Sequence, residues 1–200
     1  MADSDTLPKV TSNPATYADI EALPENMVGE ILFGVLHAHP RPALRHSRAA
    51  WRLGGQLDGP FDRGQGGPGG WIFAPEAELH LGDHVIVPDI SGWRREKLPR
   101  LPDTAAIDIP PDWVTEILSP STQRADRTDK LAIYAAFGVA HAWYLAPTLK
   151  TLEVMTLVNG KWQITAMFKD AESVTAVPFE AHTFPLDVLW PEDTIPEPQS

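Results

Sequence analysis

The 200-residue chain contains no cysteine, which excludes disulfides and thiolate metal sites. It also lacks a long apolar run. The longest, Leu131 to Ala146, is interrupted by Gly138 and His141 and falls short of the roughly 18 residues that suggest a membrane span. The opening segment MADSDTLPKV is acidic and has no apolar centre of the signal-peptide kind. A soluble, cytoplasmic protein without a membrane partner is therefore expected. Basic residues are scarce as well: 16 Lys and Arg stand against 27 Asp and Glu, for a formal charge of −11. Proteins that hold nucleic acid by general electrostatics carry a basic balance or patch. Here the densest basic stretch is Arg94, Arg95, Lys97 and Arg100. Any polyanion site must be local, or assisted by a metal.

Proline, by contrast, is abundant, at 20 of 200 positions, about twice the usual share of roughly 5%. Prolines at that density cut the chain into short elements and disfavour long helices and coiled coils. The length suits one domain with a real core. The expected organisation is a flexible arm over residues 1–15, a single domain over 16–190 and a flexible tail over 191–200.

Thr16 followed by Asp19 signals a helix start, with a short helix over Tyr17 to Leu23. Val28 to Leu36 reads as one apolar strand carrying Glu30. Leu44, Ala49, Ala50, Leu53 and Leu57 recur at helical spacing, predicting an amphipathic helix over Ala43 to Leu57. A glycine-rich loop covers residues 59–70. Strands follow over Trp71 to Phe73, Ala77 to Leu81 and His84 to Ile90, the last carrying Asp89 near its end. After a proline-rich linker over about 94–112, Trp113 to Leu118 reads as a buried strand that contains Glu116. A helix over Arg127 to Phe137 ends at Gly138, and a strand runs from His141 to Leu145. Asn159-Gly160 then joins two strands in a hairpin. This order predicts an α+β protein (α/β with a mixed sheet) with flanking helices and an added C-terminal β-hairpin.

Asp89 and Glu116 carry the chemistry. Both lie at or near the ends of apolar strands, and the linker between them is long enough to set those strands side by side. Two carboxylates converging in a partly buried site repel each other and cost free energy to desolvate. A divalent cation relieves both problems, and oxygen ligation suits Mg²⁺ or Mn²⁺. Such an ion promotes phosphodiester hydrolysis, with a nearby ammonium to complete the set. Asp126, Lys130 and Tyr134 stand at i, i+4 and i+8, near one face of the following helix.

Pro88-Asp89 followed by Glu116 resembles the PD-(D/E)XK nuclease superfamily, whose motif continues acid-x-Lys. This chain has Leu118 where that lysine would stand. The segments VPDISGW, WVTEILSPSTQRADRTDKLAIYAAFGVAHAWYLAP and GEILFGVLH are similar to the Uma-two-type putative restriction endonuclease family (domain of unknown function 820). Its Pro-Asp, Glu-x-x-Ser-x-Ser, Asp, Lys, Tyr and Gly pattern falls here on Asp89, Glu116, Ser119, Ser121, Asp126, Lys130, Tyr134 and Gly138. The resemblance implies a restriction-endonuclease-like core, metal ligation by Asp89 and Glu116, a lysine moved from the strand to Lys130, and a homodimer. It also implies roles for an upstream Glu30 and for His46.

Each of these residues has a structural reading beside the functional one. Ser119 and Ser121 suit a turn, and also substrate contact. His46 suits a helix surface or a substrate contact, Lys130 an exposed pair with Asp126, and Tyr134 packing. His37 and His39 share a strand face at zinc-binding spacing, but barrels built on such pairs need about 250 residues. The glycine-rich loop has no Gly-Lys-Ser/Thr and is no phosphate loop. Trp51, Trp71, Trp113 and Trp143 lie in apolar elements and are expected mostly in the core. The function expected is metal-dependent phosphodiester hydrolysis, on DNA first. The alternatives are a nuclease acting on RNA or small nucleotides, and a non-catalytic nuclease-like binding module.

Overall fold

The computed structural model of the chain describes residues 13–119 and 123–190. Ser121 and nearly all of the expected arm and tail lie outside them.

The chain opens with helix α1 (Tyr17–Glu21), whose start is closed where the Thr16 backbone N–H and hydroxyl both donate to Asp19. The stretch expected as one strand is a hairpin, β1 (Met27–Leu32) and β2 (Val35–Pro40). Phe33 and Gly34 turn between them with φ of 51° and 76°, the conformation of a tight two-residue hairpin turn. Helix α2 (Leu44–Leu57) buries Ala49, Leu53 and Leu57 along one stripe. A π-helical turn, Asp58–Asp62, extends it into the region expected as loop.

Next come β3 (Trp71–Pro75) and β4 (Glu78–Leu81). The segment HVIVPDI, expected as a single strand, divides into β5 (His84–Ile86) and β6 (Ile90–Arg94). Pro88 has no N–H to give a ladder and breaks the strand there. The expected linker contains the short β7 (Ala106–Ile107), and β8 (Trp113–Ile117) follows. One helical run then spans α3 (Gln123–Ala125), a π-helical turn Asp126–Lys130 and α4 (Leu131–Ala136). It starts earlier than the apolar periodicity suggested, because its first turns are polar. β9 (His141–Ala146), β10 (Thr151–Val158) and β11 (Lys161–Lys169) complete the main framework. β12 (Ser173–Val174) and β13 (Phe184–Pro185) form a small pair near the end.

Two sheets result. One has five strands in the order β2-β1-β5-β4-β7, the other six in the order β11-β10-β9-β8-β6-β3. β8 and β9 run parallel across the helical run, while β6 pairs antiparallel with β8. The sheets are therefore mixed, as the order of elements predicted. Breaking HVIVPDI at Pro88 sends the chain from the first sheet to the second, so residues 87–89 bridge them.

The six-stranded sheet is covered on both faces. On one side α2 and the C-terminal segment pack against Trp71, Trp113 and Trp143, with Phe179 at their centre. On the other, Ile133 and Tyr134 of α4 and Leu32, Leu79 and Ile86 of the smaller sheet meet Val114 and Tyr144. Alternation along β8 sorts its side chains between these faces. Trp113 and Ile117 go to the aromatic side, and Val114 and Glu116 to the helical side. Trp51 departs from expectation: it is 78% exposed. Among the described residues no helix is long and apolar enough to cross a membrane.

Gly92 of β6 lies between Phe73 and Trp113. A Cβ there would stand 2.9 Å from Phe73 Cε1 and 3.2 Å from Trp113 Cε3. Gly92→Ala should therefore cost about 1–3 kcal/mol by overpacking. Urea unfolding measures this, and an unchanged midpoint would mean that the rings yield.

Candidate active site

Four carboxylates and one lysine gather where the two sheets part. Glu30 comes from β1 and is buried. Its Oε1 accepts the Val87 backbone N–H at 2.8 Å, tying β1 to the bridge between the sheets. His39 on the neighbouring β2 stands 3.7 Å from its Oε2. Glu116 projects from β8 toward the helical run and is only 2% exposed. Tyr134 donates its hydroxyl to Glu116 Oε1 at 2.6 Å.

Lys130 lies on the same helical run and is 3% exposed. Its Nζ is 2.9 Å from Glu30 Oε1, 3.2 Å from Asp126 Oδ1 and 3.4 Å from each Glu116 oxygen. The reading of Lys130 and Asp126 as an exposed pair is thus wrong, because both are buried. The i, i+4 spacing serves the interior: the pair stands on the inward face of a π-helical turn, a geometry that recurs at functional sites. Tyr144 secures the turn by donating its hydroxyl to the Asp126 carbonyl. Arg127 clamps it from outside with a bidentate pair to Glu153 of β10, at 2.9 and 2.6 Å.

Asp89 lies at the break between β5 and β6. Its Oδ2 accepts the Ile117 N–H at 2.6 Å, so one oxygen is fixed against the end of β8. Its Oδ1 faces His46 Nε2 of α2 at 3.4 Å. Asp89, Glu116, Asp126, Lys130, His46 and Ser119 all line one cavity of about 340 Å³. Glu30 stands behind Lys130.

One ammonium cannot hold every carboxylate ionised. Burial alone would raise Glu30, but the Lys130 charge, with His39 and the Val87 N–H, holds it at about 2. Glu116 goes the other way. Burial lifts it, and the charges of Asp126, Asp89 and Glu30 add to that against the pull of Lys130, so it stays well above the usual carboxylate range. Lys130 is disfavoured as a cation by burial, yet Glu116, Glu30 and Asp126 raise it well above an ordinary lysine. His46 is likewise raised, Asp89 overcoming the cost of burial.

The donor set fits a hard divalent cation. Three carboxylates, Asp89, Glu116 and Asp126, line the cavity beside Lys130, His39, His46 and Arg41. Among the described residues no three His, Asp or Glu side chains converge tightly enough to hold an ion on their own. Asp89 and Glu116 would therefore hold it with waters completing the shell, the habit of Mg²⁺.

Of the residues singled out in the sequence, Asp89, Glu116, Lys130, Glu30, His46 and Ser119 come together here. Ser121 lies outside the described residues. Leu118, where the superfamily places lysine, is half-buried and packs against the helix-side core. Tyr134, read as packing, is a hydrogen-bond partner of Glu116, and its spacing from Lys130 was the available signal. His39, considered only for zinc, supports Glu30; its pairing follows from the β1–β2 hairpin, which the sequence reading merged into one strand.

A crystal structure from Anabaena variabilis ATCC 29413, described as a putative nuclease belonging to DUF820, shares this fold. The TM-score is 0.70 at 24% identity, over 88% of this chain and 98% of that one. A family profile described as "Uma2: Putative restriction endonuclease" matches residues 15–188, and the chain belongs to that family. No curated protein matches the sequence.

Removing Lys130 would leave buried carboxylates uncompensated. Lys130→Met should cost about 3–5 kcal/mol at neutral pH, against about 0.2–0.5 kcal/mol for an exposed i, i+4 pair. Chemical denaturation discriminates between these. For Glu116 the folded protein holds the proton more tightly than the unfolded chain. Its contribution to stability is therefore full below about 4.5 and is lost as pH rises through the folded value. Glu30 behaves oppositely, losing its contribution as pH falls from 4.5 toward about 2. In EDTA, Glu116→Gln should melt increasingly above the wild type as pH rises through the folded Glu116 value. Parallel melting profiles would contradict this assignment.

Proposed function

We propose that the protein is a divalent-metal-dependent phosphodiesterase acting as a DNA endonuclease. One observation carries this reading: Lys130 Nζ lies 3.4 Å from Glu116 in the wall of a cavity that Asp89 also lines. That supplies two carboxylates and an ammonium, although the lysine comes from a helix. The family description and the nuclease-like fold support it.

In this reading Asp89 and Glu116 hold Mg²⁺ or Mn²⁺, which when bound neutralises phosphate charge and acidifies water. Lys130 stays protonated and has only donors to offer, so it acts on a phosphoryl oxygen or the attacking water and is not a general base. Glu30 fixes the position of Lys130, and Tyr134 fixes Glu116. His46, held close to Asp89, is placed to donate to a substrate phosphate, as is the hydroxyl of Ser119; the family pattern assigns Ser121 the same role. The charge of −11 confines attraction for the polyanion to this cavity. Family resemblance supports a homodimer, whose paired sites would address two strands, and a cytoplasmic setting fits the composition.

Plasmid and short duplexes incubated with Mg²⁺ or Mn²⁺ should be cleaved. Asp89→Ala and Glu116→Ala should each lose about 10²-fold or more, together with the Mn²⁺ binding seen by calorimetry. Equal cleavage by variant and wild type would place the activity elsewhere. Mn²⁺ binding without duplex cleavage, but with turnover of RNA or short oligonucleotides, would reassign the substrate. No binding dependent on Asp89 and Glu116 would favour a non-catalytic module.

A further inference from the structure

A second groove, of about 580 Å³, opens from the candidate active site and shares His46 and Asp89 with it. One wall is α2, presenting Ser47, Trp51, Gly54 and Gly55. Opposite stand Phe73 and Glu76. We propose that this groove receives one unpaired nucleobase of the substrate, stacked on Trp51, while the adjoining phosphate lies at Asp89. This rests on the phosphodiesterase reading and adds the feature of the substrate that the site selects.

Four observations point there. Trp51 is a large ring left in solvent at the groove wall, and stacking on such a ring tolerates any base. Beside it α2 carries two consecutive glycines, which weaken a helix. Packing does not require them: a Cβ at Gly55 would meet nothing within 4 Å, and at Gly54 only Ile90 Cδ1 at 3.8 Å. What the missing side chains leave is room along the ring.

Third, the polar rim offers an open acceptor. Asp58 pairs with Arg63 and Asp62 with Arg95, which leaves the exposed Glu76 carboxylate as the acceptor. Fourth, Glu76 is held at φ 46°, and its N–H donates to the Asp89 carbonyl at 3.1 Å. Backbone strain of this kind gathers at functional sites, and this one ties the groove wall to the Asp89 backbone. A carboxylate accepts from the amino groups of adenine, cytosine and guanine. Thymine and uracil instead flank their single N–H with carbonyls that repel it. A base paired in a duplex cannot lie on Trp51 without leaving its stack, so the groove favours unpaired or extruded nucleotides.

Binding of single strands of about ten nucleotides, in deoxy and ribo forms of each base, tests this in EDTA by fluorescence anisotropy. Amino-bearing strands should bind more tightly than dT or rU. Trp51→Ala should weaken them about tenfold or more, Trp51→Phe much less, and Glu76→Gln should erase the preference against dT. Gly55→Ala should raise Tm by about 2–4 °C yet weaken binding, opposite signs that a structural role would not produce. The proposal falls if no strand binds the wild type, or if Trp51→Ala leaves affinity unchanged. It also falls if Trp51→Ala only dissolves an oligomer in sedimentation, which would assign this face to a second copy. Plasmid cleavage in Mn²⁺ separates the failures. Cleavage without dependence of binding on Trp51 removes the subsite alone, whereas binding dependent on Trp51 without cleavage removes the phosphodiesterase reading alone.

Discussion

The ammonium of Lys130 is the constraint on which the rest depends. It reaches Glu30 on β1, Glu116 on β8 and Asp126 on its own helical run, all buried. These elements belong to the five-stranded sheet, the six-stranded sheet and the helix between them. Desolvating each charge is expensive, and no single pairing recovers that cost. Together the contacts compensate one another only when the three elements dock in one arrangement. The polar junction therefore defines the relative placement of the sheets, while the apolar faces supply most of the driving force.

That junction is deliberately unbalanced. Three carboxylates surround Lys130, and Asp89 adds a fourth across the cavity. Lys130 lowers Glu30, while burial and the neighbouring carboxylates raise Glu116, because the two occupy different places around a single positive charge. A site with such an excess of negative oxygen is costly in isolation and ready for a hard cation. Tyr134 and Tyr144 set this chemistry by holding the Glu116 carboxylate and the π-helical turn in place.

Much of this was legible from the residues. Apolar periodicity identified α2, apolar runs marked β8 and β9, and Asn159-Gly160 marked the β10–β11 hairpin. Asp89 and Glu116 stood out because a charge inside an apolar strand needs a partner. The departures have local causes. The β1–β2 turn hid in Phe33-Gly34, where a phenylalanine with positive φ carries no turn signature. Pro88 divided an apparently continuous strand, which placed Asp89 between two sheets. Trp51 sits within a helical pattern, but on its exposed side, and composition does not reveal which face a tryptophan occupies.

The sequence by itself determined the mixed α+β class, the choice of Asp89 and Glu116 as the acids to watch and the absence of lysine at position 118, because these are matters of pattern and spacing along the chain. Only the tertiary structure decided whether Lys130, the lysine the family resemblance points to, reaches the carboxylates. Lys130 and Asp126 at i, i+4 look the same in sequence whether they face water or the interior. Which they face depends on Tyr144, Arg127 and Glu153 holding a polar helical turn against the sheet, a long-range arrangement that local periodicity does not encode.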